Sequence, residues 1–454
     1  MTEVLHGDGV RFWPVTDVGR VRDHNEDAFL VDRKLSLFMV ADGMGGHAAG
    51  EVASHLAVKT VRERLARDRD VLVAFEQGNV SRTEVLRLLE SAVQQACAAV
   101  HQAGVQDEAR RGMGTTLEVL LLVGSRGFIA HVGDSRIYLV RQGHVHQLTE
   151  DHSLVNELLR RGRLTREQIE KVQYKNAVTR AVGVYESVEV DTLDFDVLPG
   201  DRFLLCTDGL HGYLEEGDIP RLLESCPEEQ VAQRLVDLAN ERGGKDNISV
   251  VYVRVPDAEA GYDKLTRELN LKLEVMHRMP LFRYLTFQEL VRVLNIVGVR
   301  SYGVGEPVVR EGEEGDELFI VLRGQVRVHS GDTILTRLAA GQHFGEMALV
   351  DKAPRSASVT ADEPSQLLVI RRRDFFDVIR RDHTVAVKLL WSLCNVLTER
   401  LRTTSRDLER ARERLSMSGD VTAELLGEIE ELTDASAEPA VADARPTDPG
   451  SAGS

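Results

Sequence analysis

No stretch of about 18 consecutive apolar residues occurs in this 454-residue chain, so no membrane-spanning helix is expected. The opening MTEVLHGDGV lacks the basic-then-apolar pattern of a secretory leader. Cysteine is sparse: Cys97, Cys206, Cys226 and Cys394 show no C-x-x-C spacing, which argues against structural zinc and for reduced thiols. Cations are outnumbered as well. The balance of 56 Lys and Arg against 73 Asp and Glu leaves a net charge of -17, without the clustered positive charge that a duplex nucleic acid requires. What remains is the expectation of a cytoplasmic protein that uses neither a membrane nor a nucleic acid as its partner.

The chain is too long for one core and suits two domains with connecting and terminal segments. Over residues 10–256, short apolar and β-branched runs (LFMVAD, LEVLLLVG, FIAHVGD, RFLLCTD, ISVVYVRV) end in Gly or Asp turns. Helical patterns near 50–66 and 82–103 interrupt them, which predicts an α+β domain of stacked sheets covered by helices. A polar linker that becomes helical is read over 257–279, and TFQEL then gives Thr286 and Glu289 the spacing of a capping box. The second domain, 280–400, carries glycine-punctuated short strands between Val299 and Ile370, the pattern of an antiparallel β-roll or barrel.

A helical run from about Asp374 to Leu415 repeats Val387, Cys394, Leu401, Leu408 and Leu415 every seven residues. That spacing fits a helix that pairs with a second copy, although Thr404 and Ala411 weaken the companion stripe of Leu390 and Leu397. The remainder divides into a helical extension over 401–432 and a tail over 433–454 whose composition predicts disorder.

Carboxylates stand at the ends of five strand-like runs: RDHNED, VADGMGGH, HVGDSR, CTDGL and GGKDN. Acids from different strand ends can converge on one site, where they repel one another unless cations share them. Oxygen-rich ligation suits magnesium or manganese, and a binuclear site follows. Each element alone is also explained by turn chemistry. Their joint order is more specific.

In that order the chain resembles the metal-dependent protein phosphatases of type 2C over most of residues 12–255. The matching motifs are Gly19, Arg22, Asn25, Glu26 and Asp27 in G-x-x-R-x-x-N-E-D, then V-A-D-G-M-G-G-H, Gly114 to Thr116 in G-T-T, G-D-S-R, the stretch Asn176 to Gly183, T-D-G-L and D-N. The resemblance implies a β-sandwich flanked by helices, with Asp42 bridging two ions and Gly43 lending its carbonyl to one of them. Asp208 and Asp246 would complete the other ion, Glu26 and Asp27 would act mostly through ordered water, and Asp134 matches a ligand of a third ion. Arg22 matches the arginine that holds the substrate phosphate. Water shared by two ions would attack phosphorus in line, without a covalent phosphoenzyme. His47 is placed either to protonate the leaving oxygen or to cap the following helix or orient a water. The family's variable flap falls on residues 151–185, where Arg160, Arg161 and Arg163 either steer acidic phosphopeptides or form a solvated helix face.

The stretch FGEMALVDKAPRSASV, 344–359, places a glycine turn, one carboxylate and one guanidinium beside a hydroxyl, a spacing that can hold a sugar and a phosphate at once. With EGEEGDELFIVLRGQVRV and the helical RRRDFFDVIRR it resembles the cyclic-nucleotide-binding domain of the bacterial catabolite activator and the regulatory subunit of protein kinase A, over about residues 280–400. Gly345 would let the backbone approach a ligand, and the short helix after it would aim amide donors at an anion. The resemblance implies that Glu346 accepts from the ribose 2'-hydroxyl and that Arg355 pairs with the cyclic phosphate, with Ser356 and the amide of Ala357 as further donors. The alternative is a packing roll in which Glu346 and Arg355 form an internal salt bridge. Cyclic AMP is favoured weakly over cyclic GMP.

Together these features predict a phosphoserine and phosphothreonine phosphatase, fed by a Ser/Thr kinase and tuned by a cyclic nucleotide through the helix near 262–279. The competing reading is a cyclic-nucleotide-binding scaffold whose phosphatase-like part recruits phosphoproteins without hydrolysing them. A transcription regulator is disfavoured, because the segment after Leu415 is too short and acidic for a helix-turn-helix domain. Hydrolysis of the cyclic nucleotide at the metal site is disfavoured because the site offers carboxylates rather than several histidines.

Overall fold

The computed structural model describes residues 9–45, 49–164, 168, 177–257, 263–351 and 353–417. Strict alternation within the strands decides how the first half is layered. In strand Leu37–Ala41, Phe38 and Val40 face one way and Leu37, Met39 and Ala41 the other, all of them buried. Phe38 and Val40 share a cluster with Leu120 and Ile129 of their own sheet and with Leu139, Phe203, Leu205 and Val251 of a second sheet. On the opposite face, Leu37 and Met39 meet Ala53, Ala57 and Val61 of helix α1 (Ala49–Arg67) and Leu89 and Val93 of helix α3 (Arg82–Gln106), with α2 (Arg69–Glu76) between these helices in the chain.

Both sheets have five antiparallel strands. One runs in the order Arg11–Asp17, Ile248–Arg254, Arg202–Cys206, Arg136–Arg141, His144–Gln147. The other runs Asp191–Asp196, Arg126–Val132, Leu117–Val123, Leu37–Ala41, Ala28–Asp32. Helix α4 (Leu154–Arg160) follows the first sheet's edge hairpin, and α5 (Asp208–His211) starts directly after strand Arg202–Cys206. Helices α6 (Asp218–Ser225) and α7 (Glu228–Glu241) come next, and Val231, Leu235 and Ala239 of α7 pack on Leu204, Val250 and Tyr252. The result is the helix-covered sandwich that the apolar runs predicted.

Helix α8 (Asp263–Arg278) leads to α9 (Phe287–Leu294), which starts with the expected capping box: the Thr286 hydroxyl accepts from the Glu289 amide at 3.3 Å and the Thr286 amide donates back to the Glu289 carboxylate at 2.7 Å. Val291 of α9 belongs to the core between the sheets, and Phe287 stacks on His146 with ring centroids 3.8 Å apart. The Asn295 side chain donates to the Asp194 carbonyl at 2.8 Å. Two four-stranded sheets then form the roll, in the orders Gly298–Tyr302, Ser365–Arg371, Glu317–Arg323, His343–Phe344 and Pro307–Val309, Ser358–Ala361, Gln325–Ser330, Thr333–Ala339. Phe319, Val321, Val326, Phe344, Val359 and Leu367 fill it.

Helices α10 (Met347–Val350), α11 (Arg372–Arg381) and α12 (His383–Met417) complete the chain's described part. The single helical run expected from about Asp374 is interrupted at Asp382, which has extended backbone angles (φ -136°, ψ 106°). Its carboxylate explains the break, because Oδ1 accepts from the amides of Thr384 at 2.9 Å and Val385 at 3.1 Å and so begins a new helix. Among the described residues one compact unit ends at Leu389, and the part of α12 from Leu390 belongs to a second. The end of the expected helical extension and the expected disordered tail, 418–454, lie outside the described residues. No helix among the described residues is long and apolar enough to cross a membrane.

Among the described residues of the sandwich, Arg141 and Asp201 form a buried forked ion pair. Arg141 Nε donates to Asp201 Oδ1 at 2.8 Å and Nη2 to Oδ2 at 2.6 Å. Removing one partner strands the other charge in the interior, so Arg141→Ala is expected to lower unfolding free energy by about 3–5 kcal/mol in urea titration. A variant as stable as the parent would show that the pair contributes nothing.

Candidate functional site

Elements distant in sequence deliver the acids to one end of the sandwich. Asp42 follows strand Leu37–Ala41, Asp134 lies between strands Arg126–Val132 and Arg136–Arg141, and Asp208 opens α5 after strand Arg202–Cys206. Asp27 precedes strand Ala28–Asp32, and Asp246 precedes strand Ile248–Arg254. Hydroxyls fix the backbone beneath them. The Asp42 amide donates to Thr116 Oγ1 at 2.8 Å, the Asp42 carbonyl accepts from Thr115 Oγ1 at 2.9 Å, and Thr116 Oγ1 lies 2.8 Å from Ser135 Oγ beside Asp134. The Thr207 hydroxyl donates to Asp27 Oδ2 at 2.9 Å. His211, whose pKa burial pushes down to about 4, sets Nε2 2.8 Å from the Asp134 carbonyl oxygen.

Asn247 is the residue that sequence reasoning undervalued. Its Oδ1 accepts from the Glu26 amide at 2.8 Å, while Nδ2 donates to the carbonyls of Val18 at 3.0 Å and His24 at 2.8 Å. The D-N pair was visible as a motif, but the asparagine's long-range clasp on the Glu26 loop was not. Gly43 is required for a different reason: a Cβ there would lie 2.2 Å from the Gly50 carbonyl oxygen and 2.4 Å from that of Glu26.

Each acid lies in the field of the others. Burial, then the charges of Asp27, Asp208, Asp134 and Asp246, raise Asp42 well above the ordinary carboxylate range. Burial is also the main cause that lifts Asp27 to about 7 and Asp134 to about 7, and it raises Asp208, with Asp246 adding to it. Glu26 Oε1, Asp27 Oδ1 and Asp208 Oδ1 are buried without a hydrogen-bond partner. Among the described residues no three His, Cys, Asp or Glu side chains already close on one point as a finished metal cage. Acceptor oxygens that are buried, crowded and unsatisfied nevertheless suit hard divalent ions, which would relieve repulsion and desolvation together.

Arg22 lies at the rim, its Nη2 2.7 Å from Asp246 Oδ2 and both side chains partly exposed. His47 lies outside the described residues, as do Gly46 and Ala48. Two of the flap arginines are already engaged: Arg160 lies 3.4 Å from Glu150 and donates to Thr384 Oγ1 at 2.7 Å, and Arg161 donates to Glu157 at 3.2 Å. Flap residues 165–167 and 169–176 lie outside the described residues.

In the roll, Gly345 and Arg355 come together closely. Gly345 has φ +79°, and a Cβ there would stand 2.6 Å from Arg355 Nη1. Arg355 Nη2 donates to the Glu317 carbonyl at 2.9 Å and the guanidinium lies 5.7 Å from the Phe319 ring centroid. Burial lowers the Arg355 pKa, against the charges of Glu317, Asp316 and Glu346, so an incoming anion would find a partly desolvated cation. A cavity of about 190 Å³ lies beside it, lined by Val308, Val309, Phe319 and the 313–317 loop. Glu346 is buried at the start of α10, Ser356 is exposed and Ala357 is half-buried.

Comparison with known proteins matches both halves. The family described as Protein phosphatase 2C matches residues 20–246, and the one described as Cyclic nucleotide-binding domain matches residues 299–382. Protein phosphatase PhpP of Streptococcus pneumoniae is 39% identical over 251 residues, covering 54% of this chain and 98% of PhpP. Serine/threonine phosphatase PstP/Ppp of Mycobacterium tuberculosis is 35% identical in its crystal structure, which covers 54% of this chain and 99% of its own with a TM-score of 0.48. A structure of the PstP catalytic domain in complex with two manganese ions is 34% identical, covering 55% of this chain and 99% of its own with a TM-score of 0.46.

The raised acids make a pH prediction with a definite sign. Their folded values near 7 exceed the roughly 3.9 of an unfolded Asp, so the stability they favour is present at low pH and is lost as pH rises through about 7 in metal-free protein. Manganese added at pH 7 should therefore displace protons, and its affinity should strengthen as pH rises. Titration calorimetry in buffers of different ionisation enthalpy measures this; binding heats independent of buffer would count against these acids as the ligand set.

Proposed function

The chain belongs to the protein phosphatase 2C family, and from that premise we propose that its acid nest holds manganese or magnesium and dephosphorylates phosphoserine and phosphothreonine proteins under control of a cyclic nucleotide. The observation that carries the catalytic half is the convergence of Asp27, Asp42, Asp134, Asp208 and Asp246 in one mutually repelling group with unsatisfied buried oxygens. Asp42, Asp208 and Asp246, with the Gly43 carbonyl, are the proposed direct ligands, with Glu26, Asp27 and Asp134 around them. When bound, the ions supply Lewis-acid activation of the attacking water and neutralise developing charge.

The chain's own groups do the rest. Arg22 offers a forked donor to the phosphate oxygens, and Asp246 keeps that guanidinium at the rim until substrate arrives. Thr116, Ser135 and Asn247 hold the loops that carry the acids, so the site is ordered before substrate binds. His47 is proposed either to donate to the leaving oxygen or to cap the following helix or orient a water.

The regulatory half is supported by Arg355 beside Gly345, Glu346 and a cavity, with the matched nucleotide-binding family. Cyclic AMP is the favoured ligand, a Ser/Thr kinase the implied counterpart and the cytoplasm the proposed location. Self-pairing through α12 is supported by exposed Val387, Leu390, Trp391, Leu401 and Leu408. Leu401→Glu with Leu408→Glu would then turn a dimer into a monomer in analytical ultracentrifugation, and an unchanged mass would end that proposal.

Activity is measured on p-nitrophenyl phosphate and a phosphothreonine peptide with manganese. Asp42→Ala and Asp208→Ala should each lose about 100-fold or more, since even outer-shell changes at metal sites cost about 10–100-fold. An inactive parent protein with intact metal binding would favour the scaffold reading instead. Arg355→Ala should weaken cyclic AMP binding by roughly 10- to 150-fold, the value of about 1.5–3 kcal/mol for a hydrogen bond to a charged group. Unchanged affinity in calorimetry would remove Arg355 from the pocket.

A further inference from the structure

Asp382 divides its two carboxylate oxygens between two elements. Oδ1 caps α12, and Oδ2 accepts from Arg292 Nη1 of α9 at 2.7 Å. Helix α9 is anchored in the sandwich by Val291 and by Asn295 on Asp194. Two residues beyond Asp382, the Thr384 hydroxyl accepts from Arg160, the last residue of α4. Just before α4, His152 grips the loop that carries Asp134: its amide donates to the Gly133 carbonyl at 2.7 Å and its Nδ1 accepts from the Gly133 amide at 3.1 Å. The start of the final helix is thus two contacts from the acid site.

The same junction reaches the nucleotide pocket through α11. The Arg372 amide donates to the Asp316 carbonyl at 2.7 Å, in the loop that lines the cavity beside Arg355. Arg372 Nη2 donates to the Val350 carbonyl at 3.0 Å, at the end of the short helix that Glu346 begins. Helix α11 is therefore a rod of about 15 Å, at 1.5 Å per residue, with the pocket at one end and Asp382 at the other.

We propose that the clasp of Arg292 on Asp382 and Arg160 on Thr384 transmits nucleotide occupancy to helix α4 and to the Asp134 loop. The proposal rests on nucleotide control of the phosphatase. The junction is built to move. It borders a polar cavity of about 590 Å³ lined by Arg82, Arg160, Arg180, Asp191, Arg292 and Asp382, where water can follow a shift that a packed apolar seam would resist. The Arg292 and Asp382 side chains are 30% and 19% exposed, so water in the cavity reaches their ion pair. A cyclic phosphate that draws Arg355 away from the Glu317 carbonyl changes the loop on which the first residue of α11 hangs. A shift of α11 then changes the position of Asp382, and the clasp passes it to α4.

The test uses the full chain as wild type, Arg292→Gln, Arg292→Lys and Arg160→Ala. Phosphothreonine-peptide hydrolysis with manganese is measured with and without saturating cyclic AMP and cyclic GMP, and amide hydrogen exchange is followed across 152–160 and 383–389. Wild type should change kcat/KM by about 5- to 150-fold on nucleotide binding, the usual range for coupled sites. Arg292→Gln and Arg160→Ala should bind the nucleotide yet respond less than about 2-fold, with faster exchange in both segments; Arg292→Lys should restore much of the response. Variants that respond as wild type does, with exchange unchanged, would overturn the clasp. A wild type that binds nucleotide without any change in rate would overturn nucleotide control itself and the clasp's signalling role with it.

Discussion

Placing Asp42 among Asp27, Asp134, Asp208 and Asp246 sets a demand that much of the sandwich answers: five carboxylates must be kept close although burial and mutual charge oppose their ionisation. Neutral groups meet that demand from below. Threonine and serine hydroxyls and the Asn247 amide tie the acid-bearing loops to backbone and to one another without adding charge, and they stand next to strand ends of both sheets. Close approach of Gly43 to the Gly50 and Glu26 carbonyls packs the loops tighter than side chains would allow. Glu26 Oε1, Asp27 Oδ1 and Asp208 Oδ1 are left buried without a hydrogen-bond partner, which a cation would relieve.

The roll solves a milder version of the same problem. Arg355 is a cation held half-buried by a carbonyl and an aromatic face, with the charges of Glu317, Asp316 and Glu346 in its field. It meets Glu317 through the backbone carbonyl, while the Glu317 carboxylate is paired with Arg300. Such an arginine retains donors for a phosphate.

Local pattern and long-range pairing were not equally legible in the sequence. Runs such as LFMVA and LEVLLLV announced strands buried on both faces, and the Thr286 and Glu289 spacing announced the start of α9, because these signals depend on neighbours in the chain. The acids stood out because five turn motifs share one order. Asn247 did not stand out, since its three partners lie more than 200 residues away and an Asp-Asn pair is an ordinary turn. The break at Asp382 was hidden for a related reason: helix-forming sequence flanks it on both sides, and only the aspartate's capping geometry reveals that one helix has ended and another begun. The clasp on Arg292 depends on tertiary placement alone.

Helix α9 has a footprint on both halves. Its Val291 fills the space between the phosphatase sheets, its Asn295 satisfies the Asp194 carbonyl, and its Arg292 and Glu289 hold Asp382 and Lys388. The nucleotide roll is consequently not a bead on a string. Ending the chain after residue 256 would take Val291 out of the core between the sheets and Asn295 away from the Asp194 carbonyl, so a phosphatase half made alone would lose contacts that its sheet edges now have.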